Sequence, residues 1–124
     1  MKTAWLVDDD QEMSTAVGLM LKMLGFQTRA FLTAPAAGKA LLEGPHPDLI
    51  LLDINMPKVS GKDFLEFLRL RDEYKHLPVV MLSSEFTDVQ VSEVLDLGAN
   101  AYVSKPVSTE ELEAAIAQAF ASRG

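Results

Sequence analysis

The sequence Asp48-Leu49-Ile50-Leu51-Leu52-Asp53 places four consecutive apolar residues between two acids. A strand with one solvated face alternates apolar and polar residues, whereas a strand covered on both faces is apolar throughout. This stretch therefore predicts a β-strand over residues 48–52 in a parallel sheet that carries helices on both faces. Crossover connections between parallel strands place helices over the sheet in this way.

Further strands and helices alternate on either side of this run. Apolar runs predict strands at residues 4–7, 26–31, 77–82 and 101–104. Helical spacing of apolar residues, with stop signals such as Gly25 and Gly98, predicts helices over about residues 11–24, 33–43, 62–71, 87–97 and 108–121. The fourth helix is expected to bury Val91, Val94 and Leu95. The regular alternation predicts an α/β fold with a doubly wound, five-stranded parallel sheet of order 2-1-3-4-5 and five helices.

The composition predicts one globular domain over residues 1–124. The chain is 48% hydrophobic and carries a formal net charge of -7, which argues against direct binding to the anionic backbone of nucleic acids. It contains no cysteine, which fits a reducing compartment. No apolar stretch approaches the roughly 20 residues of a membrane span, and the first residues lack the pattern of a signal peptide. We therefore expect a cytoplasmic protein without a membrane partner.

Polar side chains follow four of the predicted strands. In a sheet of order 2-1-3-4-5, sites form at the carboxyl ends of the strands, beside the switch point between strands 1 and 3. The side chains at these ends are Asp8, Asp9, Asp53, Ser83, Ser84 and Lys105. Each alone is typical of an ordinary turn or helix cap, but their convergence on one edge favours a site. Asp10 directly precedes the first helix and is expected to cap it.

The residue types at this edge indicate phosphoryl chemistry. Clustered carboxylates raise one another's pKa values unless a cation relieves the repulsion, and a small set of oxygen ligands suits Mg²⁺. Asp53 can act as a nucleophile that forms an acyl phosphate. A serine hydroxyl and a lysine ammonium, from Ser83 and Lys105, can each contact a phosphoryl oxygen. The sequence therefore predicts a Mg²⁺-dependent phosphoryl-transfer site.

Four motifs occur in order: LVDDD at residues 6–10, LLDINMP at 51–57 followed by Gly61, VMLSS at 80–84, and YVSKP at 102–106. Together they make the whole chain resemble the receiver domain of two-component response regulators. This resemblance implies the flavodoxin-like fold, a CheY-like architecture. It also implies that Asp53 accepts the phosphoryl group, with Mg²⁺ bound by Asp9, the Asp53 carboxylate and the main-chain carbonyl of Asn55. Asp8 corresponds to the acid that reaches the metal through water.

The same resemblance assigns roles to residues around the acids. Ser83 corresponds to the switch hydroxyl, Lys105 to the lysine that contacts the phosphoryl group, and Tyr102 to the aromatic switch residue. The Lys105-Pro106 bond is expected to be cis. Three positions tune the site in such domains, namely Asn55, Ser84 and Glu85, and the residues at 55 and 85 resemble those of members whose phosphoform is short-lived.

The resemblance implies a signalling domain rather than an enzyme with an external substrate. A histidine kinase or a phosphotransfer domain is the expected phosphodonor. A downstream protein target, which the sequence does not identify, is expected to bind the face of helix 4, strand 5 and helix 5, around Val91, Leu95, Tyr102 and Glu111. Nothing in the sequence distinguishes a single-domain regulator from part of a longer protein.

Two alternatives remain open. One is a degenerate receiver that acts as a constitutive protein-binding module without phosphoryl chemistry, although the complete set of acid, hydroxyl and lysine argues against it. The other is a Mg²⁺-dependent phosphatase of similar topology. That enzyme would need a second acid two residues after the nucleophile as a general acid, and this position is Asn55.

Overall fold

The computed structural model describes residues 2–85 and 87–122, and in these ranges strands and helices alternate without exception. The strands are β1 (Thr3–Val7), β2 (Gln27–Phe31), β3 (Leu49–Asp53), β4 (Val79–Ser83) and β5 (Ala101–Ser104). The helices are α1 (Gln11–Met23), α2 (Ala34–Glu43), α3 (Gly61–Arg69), α4 (Asp88–Asp96) and α5 (Thr109–Ser122). All strand pairs are parallel, and the order β2-β1-β3-β4-β5 confirms the prediction. None of the helices in the described ranges is both long and apolar enough to span a membrane.

The central strand β3 explains why its sequence is apolar at every position. Ile50 and Leu52 point into a core under α2, α3 and α4, whereas Leu49 and Leu51 point into a second core under α1 and α5. All residues of β3 are buried. The two cores therefore lie on opposite faces of one sheet, as expected for a doubly wound fold.

Polar side chains fix where the helices begin. The Asp10 carboxylate accepts a hydrogen bond from the Met13 N–H at 3.1 Å, which confirms its predicted role as the cap of α1. Thr33 caps α2, and the Ser108 hydroxyl accepts a hydrogen bond from the Glu111 N–H at the start of α5. Each cap satisfies an N–H group that the first helical turn leaves without a partner.

The predicted apolar stripe of α4 is wrong in part. Val94 is fully buried, but Val91 is half-buried and Leu95 is 42% exposed. Successive residues of a helix are about 100° apart around its axis, so Val94 and Leu95 cannot both face the sheet. Leu95 instead lies on the outer surface of α4.

Gly61 allows α3 to start directly against the end of β3. Its N–H donates to the Ile54 carbonyl oxygen at 2.8 Å. A Cβ atom at this position would lie 2.0 Å from the Asp53 carbonyl oxygen, well inside van der Waals contact. Glycine at position 61 therefore sets the path of the loop that follows Asp53.

We expect Gly61→Ala to destabilise the fold by about 2 kcal/mol or more, because the methyl group meets backbone rather than a movable side chain. Gly18→Ala is the matched control, since position 18 lies inside α1 and nothing lies within 4 Å of the point that its methyl group would occupy. It should stabilise the chain by up to about 1 kcal/mol through helix propensity. Urea denaturation measures both, and equal midpoints for Gly61→Ala and the wild-type chain would contradict the packing argument.

Candidate functional site

Three carboxylates meet at the carboxyl edge of the sheet. Asp8 and Asp9 follow β1, Asp53 ends β3, and these two strands are hydrogen-bonded neighbours. One carboxylate oxygen from each of the three residues lies within 4.8 Å of the others. Asp8 and Asp53 are buried, whereas Asp9 is exposed. The structure thus brings together the acids that the sequence places at the switch point, with one of them open to solvent.

Lys105 lies between the two buried acids. Its ammonium Nζ is 2.8 Å from Asp8 Oδ2 and 3.6 Å from Asp53 Oδ1. Its backbone N–H donates to the Ser83 carbonyl oxygen at 2.8 Å, and the following Lys105-Pro106 bond is cis, as predicted. The end of β5 therefore directs a single positive charge at the carboxylates of β1 and β3.

Burial and the neighbouring charges shift the pKa values of Asp53 and Lys105. Burial and the neighbouring Asp8 charge raise the pKa of Asp53 from 3.8 to about 6. The Lys105 charge and a hydrogen bond from the Asn55 backbone N–H act in the opposite direction but do not cancel the rise. For Lys105, burial acts to lower the pKa, but the hydrogen bond and charge of Asp8 and the charge of Asp53 outweigh it and raise the pKa. One lysine does not fully balance the carboxylates.

The cluster fits a divalent cation. Asp8 Oδ1 accepts a hydrogen bond from the Asp10 N–H at 3.0 Å. Asp8 Oδ2 is buried and has the Lys105 ammonium at 2.8 Å as its ionic partner. The carboxylates of Asp8, Asp9 and Asp53 carry more negative charge than one lysine offsets, and a bound cation would balance the remainder. The available donors are all oxygens, which suits Mg²⁺.

The Ser83 hydroxyl is bonded to its own loop. Ser83 is fully buried, and its Oγ donates to the Glu85 carbonyl oxygen at 3.0 Å and accepts from the Glu85 N–H at 3.1 Å. The predictions from the sequence did not include this local pair of hydrogen bonds. Serine side chains often bond the backbone two residues on, so a serine that ends a strand ahead of a loop was the available signal. The Ser84 and Glu85 side chains are exposed at the same loop.

The remaining predicted residues lie at the margin of the cluster. Asn55 directs its backbone N–H at the Asp53 carboxylate while its side chain is exposed. Tyr102 lies on β5 opposite Met81 of β4 and is 43% exposed. The structure therefore gathers Asp8, Asp9, Asp53 and Lys105 into one cluster and leaves Tyr102 at the surface.

The raised pKa of Asp53 predicts a pH-dependent stability. Between pH 3.8 and about 6, the folded chain retains a proton on Asp53 that the unfolded chain has released. The contribution of Asp53 to folding stability is therefore present below the lower value and is lost as the pH rises through the upper one. Asp53→Asn, which stays neutral, should exceed the wild-type stability at pH 8 by on the order of 2 kcal/mol and match it near pH 4.

Urea denaturation without divalent cations, at several pH values, measures this difference. Asp72→Asn is the control, because the Asp72 side chain is 92% exposed and its substitution should leave the pH profile unchanged. A constant difference between Asp53→Asn and wild type across the pH range would contradict the assigned cause.

Known proteins resemble this chain in sequence and in structure. A profile of the response regulator receiver domain matches residues 4–117. The chemotaxis protein CheY of Pseudomonas aeruginosa is 32% identical over 93% of both chains. The sensory transduction protein RegX3 of Mycobacterium tuberculosis is also 32% identical, over 94% of this chain but only 49% of its own length.

Solved structures agree with this assignment. The chemotaxis protein CheY4 of Vibrio cholerae superposes with a TM-score of 0.88 at 25% identity and covers 96% of this chain and 98% of its own. The fold, the order of its strands and the sequence match over nearly the whole chain lead to one conclusion. The chain belongs to the family of response regulator receiver domains of two-component signalling.

Proposed function

We propose that residues 1–124 form one receiver domain that accepts a phosphoryl group on Asp53, in a Mg²⁺-dependent reaction, from a histidine kinase or a phosphotransfer domain. The observation that carries this proposal is the contact of Lys105 with two buried carboxylates, Asp8 and Asp53, at the switch point of the sheet. This arrangement supports the proposal because a buried carboxylate, a cation and incompletely neutralised negative charge lie together at one edge. A downstream protein, not an external small-molecule substrate, receives the signal.

In the proposed reaction, a carboxylate oxygen of Asp53 attacks phosphorus, and the bond from phosphorus to the donor's histidine nitrogen breaks. The electron pair of that bond leaves with the imidazole. Asp53 must be ionised to attack, and its pKa of about 6 leaves it mostly ionised above neutral pH. The Lys105 ammonium already lies near Asp53 Oδ1, so it can pair with a phosphoryl oxygen formed there.

Mg²⁺ at the acids would offset negative charge on the transferring group. Asp9 and Asp53 are proposed to bind the ion directly with the main-chain carbonyl of Asn55, and Asp8 to bind it through water. The exposure of Asp9 supports entry of the ion from solvent. The Lys105 ammonium already lies 2.8 Å from Asp8 Oδ2, which supports an indirect contact of Asp8 with the ion.

The proposed switch depends on the Ser83 hydroxyl. To donate to a phosphoryl oxygen, it must give up its donation to the Glu85 carbonyl. This change would favour an inward position of Tyr102, which is exposed. The altered surface would comprise α4, β5 and α5, around Val91, Leu95 and Glu111. Such a change is a shift between two pre-existing states.

Three exposed side chains beside the site are proposed to tune the lifetime of the acyl phosphate, namely Asn55, Ser84 and Glu85. Polar and acidic groups at positions 55 and 85 can orient an attacking water. We therefore propose that the domain hydrolyses its own acyl phosphate quickly.

Incubation with a small phosphodonor and Mg²⁺ tests the acceptor. The wild-type chain should gain the mass of one phosphoryl group, and Asp53→Asn should gain none, because an amide is not a nucleophile here. Intact-mass spectrometry measures both. Equal labelling of the two chains would refute Asp53 as the acceptor, and no labelling of the wild-type chain would favour the constitutive binding module.

Separate substitutions of the neighbouring residues Asp9 and Asp10 test the proposed metal site. Asp9→Ala should weaken Mg²⁺ binding by at least about tenfold, as expected for loss of a ligand or its support. Asp10→Ser should leave it within about twofold, because Asp10 caps α1 and serine also caps helices. Isothermal titration calorimetry with Mg²⁺ measures both affinities. A stronger effect of Asp10→Ser than of Asp9→Ala would reverse the assignment.

A further inference from the structure

A groove lies between α1 and β2, and none of the three clustered carboxylates lines it. It has a volume of about 380 Å³, and its lining includes Gly18, Leu19 and Lys22 of α1 and Thr28 and Ala30 of β2. Nothing lies within 4 Å of the position that a Cβ of Gly18 would occupy, so α1 leaves this space open. Leu19, which lines the groove, is 57% exposed. The groove is therefore partly apolar and open to solvent.

The free edge of the sheet borders this groove. In a parallel strand, successive residues direct their N–H and C=O groups to alternate sides. The Gln27 N–H donates to Lys2 and the Phe31 carbonyl accepts from Asp8, so the odd-numbered residues of β2 pair with β1. Thr28 and Ala30 consequently direct their N–H and C=O groups outward. Within residues 2–85 and 87–122, no backbone or side-chain group bonds to these outward groups.

The charge around this edge differs from that of the whole chain. The net charge of the protein is -7, yet the described residues that line the groove include Lys22 and Arg29 and no acid. Lys22 forms no ion pair with any residue in the described ranges. The Arg29 guanidinium lies 4.8 Å from the centre of the Phe31 ring, on the other face of the sheet. Cations therefore flank the open edge on both faces.

We propose that this edge binds an extended, acidic segment of a partner protein, which adds to β2 as a further parallel or antiparallel strand. Strand addition would satisfy the outward backbone groups of Thr28 and Ala30. Alternate side chains of the added strand would point into the groove beside Leu19, where apolar residues fit. The intervening side chains would lie on the face of Arg29, where acids fit. The segment is thus expected to alternate apolar and acidic residues.

The charges disfavour a second copy of this chain as the occupant. Symmetric pairing of two β2 strands would bring Lys22 and Arg29 of one copy near the same residues of the other. Like charges in close cross-strand positions are destabilising. Asp8, Asp9 and Asp53 do not line the groove, and the proposal does not require phosphorylation of Asp53.

Nuclear magnetic resonance titration of the full chain tests the proposal with a short, end-blocked peptide that alternates valine and aspartate. A peptide that alternates valine and lysine is the control. The acidic peptide should shift the amide resonances of Leu19, Thr28 and Ala30, slow hydrogen exchange at Thr28 and Ala30, and bind at least about tenfold more tightly than the basic one. No shift, shifts centred elsewhere, or equal affinities for the two peptides would overturn the proposal.

Two variants test the contacts separately. Ala30→Pro removes an outward N–H without removing a hydrogen bond to β1, a position at which an edge strand tolerates proline. It should weaken binding of the acidic peptide at least about tenfold. Arg29→Glu should also weaken it, because the acids of the peptide are expected on that face, whereas Lys75→Glu, an exposed change outside the groove, should not. Unchanged affinity in both Ala30→Pro and Arg29→Glu would refute the surface.

Analytical ultracentrifugation tests whether a second copy of this chain, rather than an acidic partner segment, occupies the edge. We expect the wild-type chain to be monomeric at micromolar concentration in the absence of phosphodonor. A dimer that Ala30→Pro dissociates would show that the edge pairs with a second copy, and would overturn the assignment of an acidic partner.

Discussion

The burial of the Asp53 carboxylate at the end of the central strand is the constraint on which the rest of the site depends. β3 is covered by helices on both faces, so its last side chain reaches the edge of the sheet with little access to water. Desolvation of a carboxylate is costly unless neighbouring charges or hydrogen bonds compensate for it. The segments after β1 and β5 decide how far Asp53 is compensated, because Asp8 adds negative charge beside it and Lys105 adds positive charge.

Lys105 provides only part of this compensation. It contacts Asp8 more closely than Asp53, and Asp8 itself adds negative charge beside Asp53. The cluster therefore retains an affinity for protons and for positive charge. The excess of carboxylates opposes folding and favours the binding of a cation.

The parts of the structure that depend on periodicity and on strand order could be predicted from the sequence. The apolar run of β3 indicated a sheet with two covered faces, and that topology alone placed Asp9, Asp53 and Lys105 at one edge. Contacts that depend on side-chain direction could not be predicted in the same way. Periodicity gave Val94 and Leu95 equal weight, whereas helix geometry directs only Val94 at the sheet.

The direction of backbone hydrogen bonds was the other feature that the sequence did not predict. The residue types at Ser83 and Glu85 indicated a hydroxyl near the site but not that the hydroxyl bonds to the backbone of position 85. The open edge of β2 likewise depends on which residues direct their backbone groups outward, and that is a matter of register rather than composition. Sequence patterns report burial well, but they report hydrogen-bond direction poorly.

If Ser83 is the switch proposed above, its two hydrogen bonds to Glu85 affect the resting level of signalling. Both bonds use backbone atoms of position 85, so the identity of its side chain does not alter them directly. If releasing the hydroxyl costs about 2 kcal/mol, only about 3% of unphosphorylated molecules have it free at any moment. Under the tuning role proposed for position 85, substitutions there would change how long a signal lasts but leave these backbone hydrogen bonds in place, so the background level would stay almost constant.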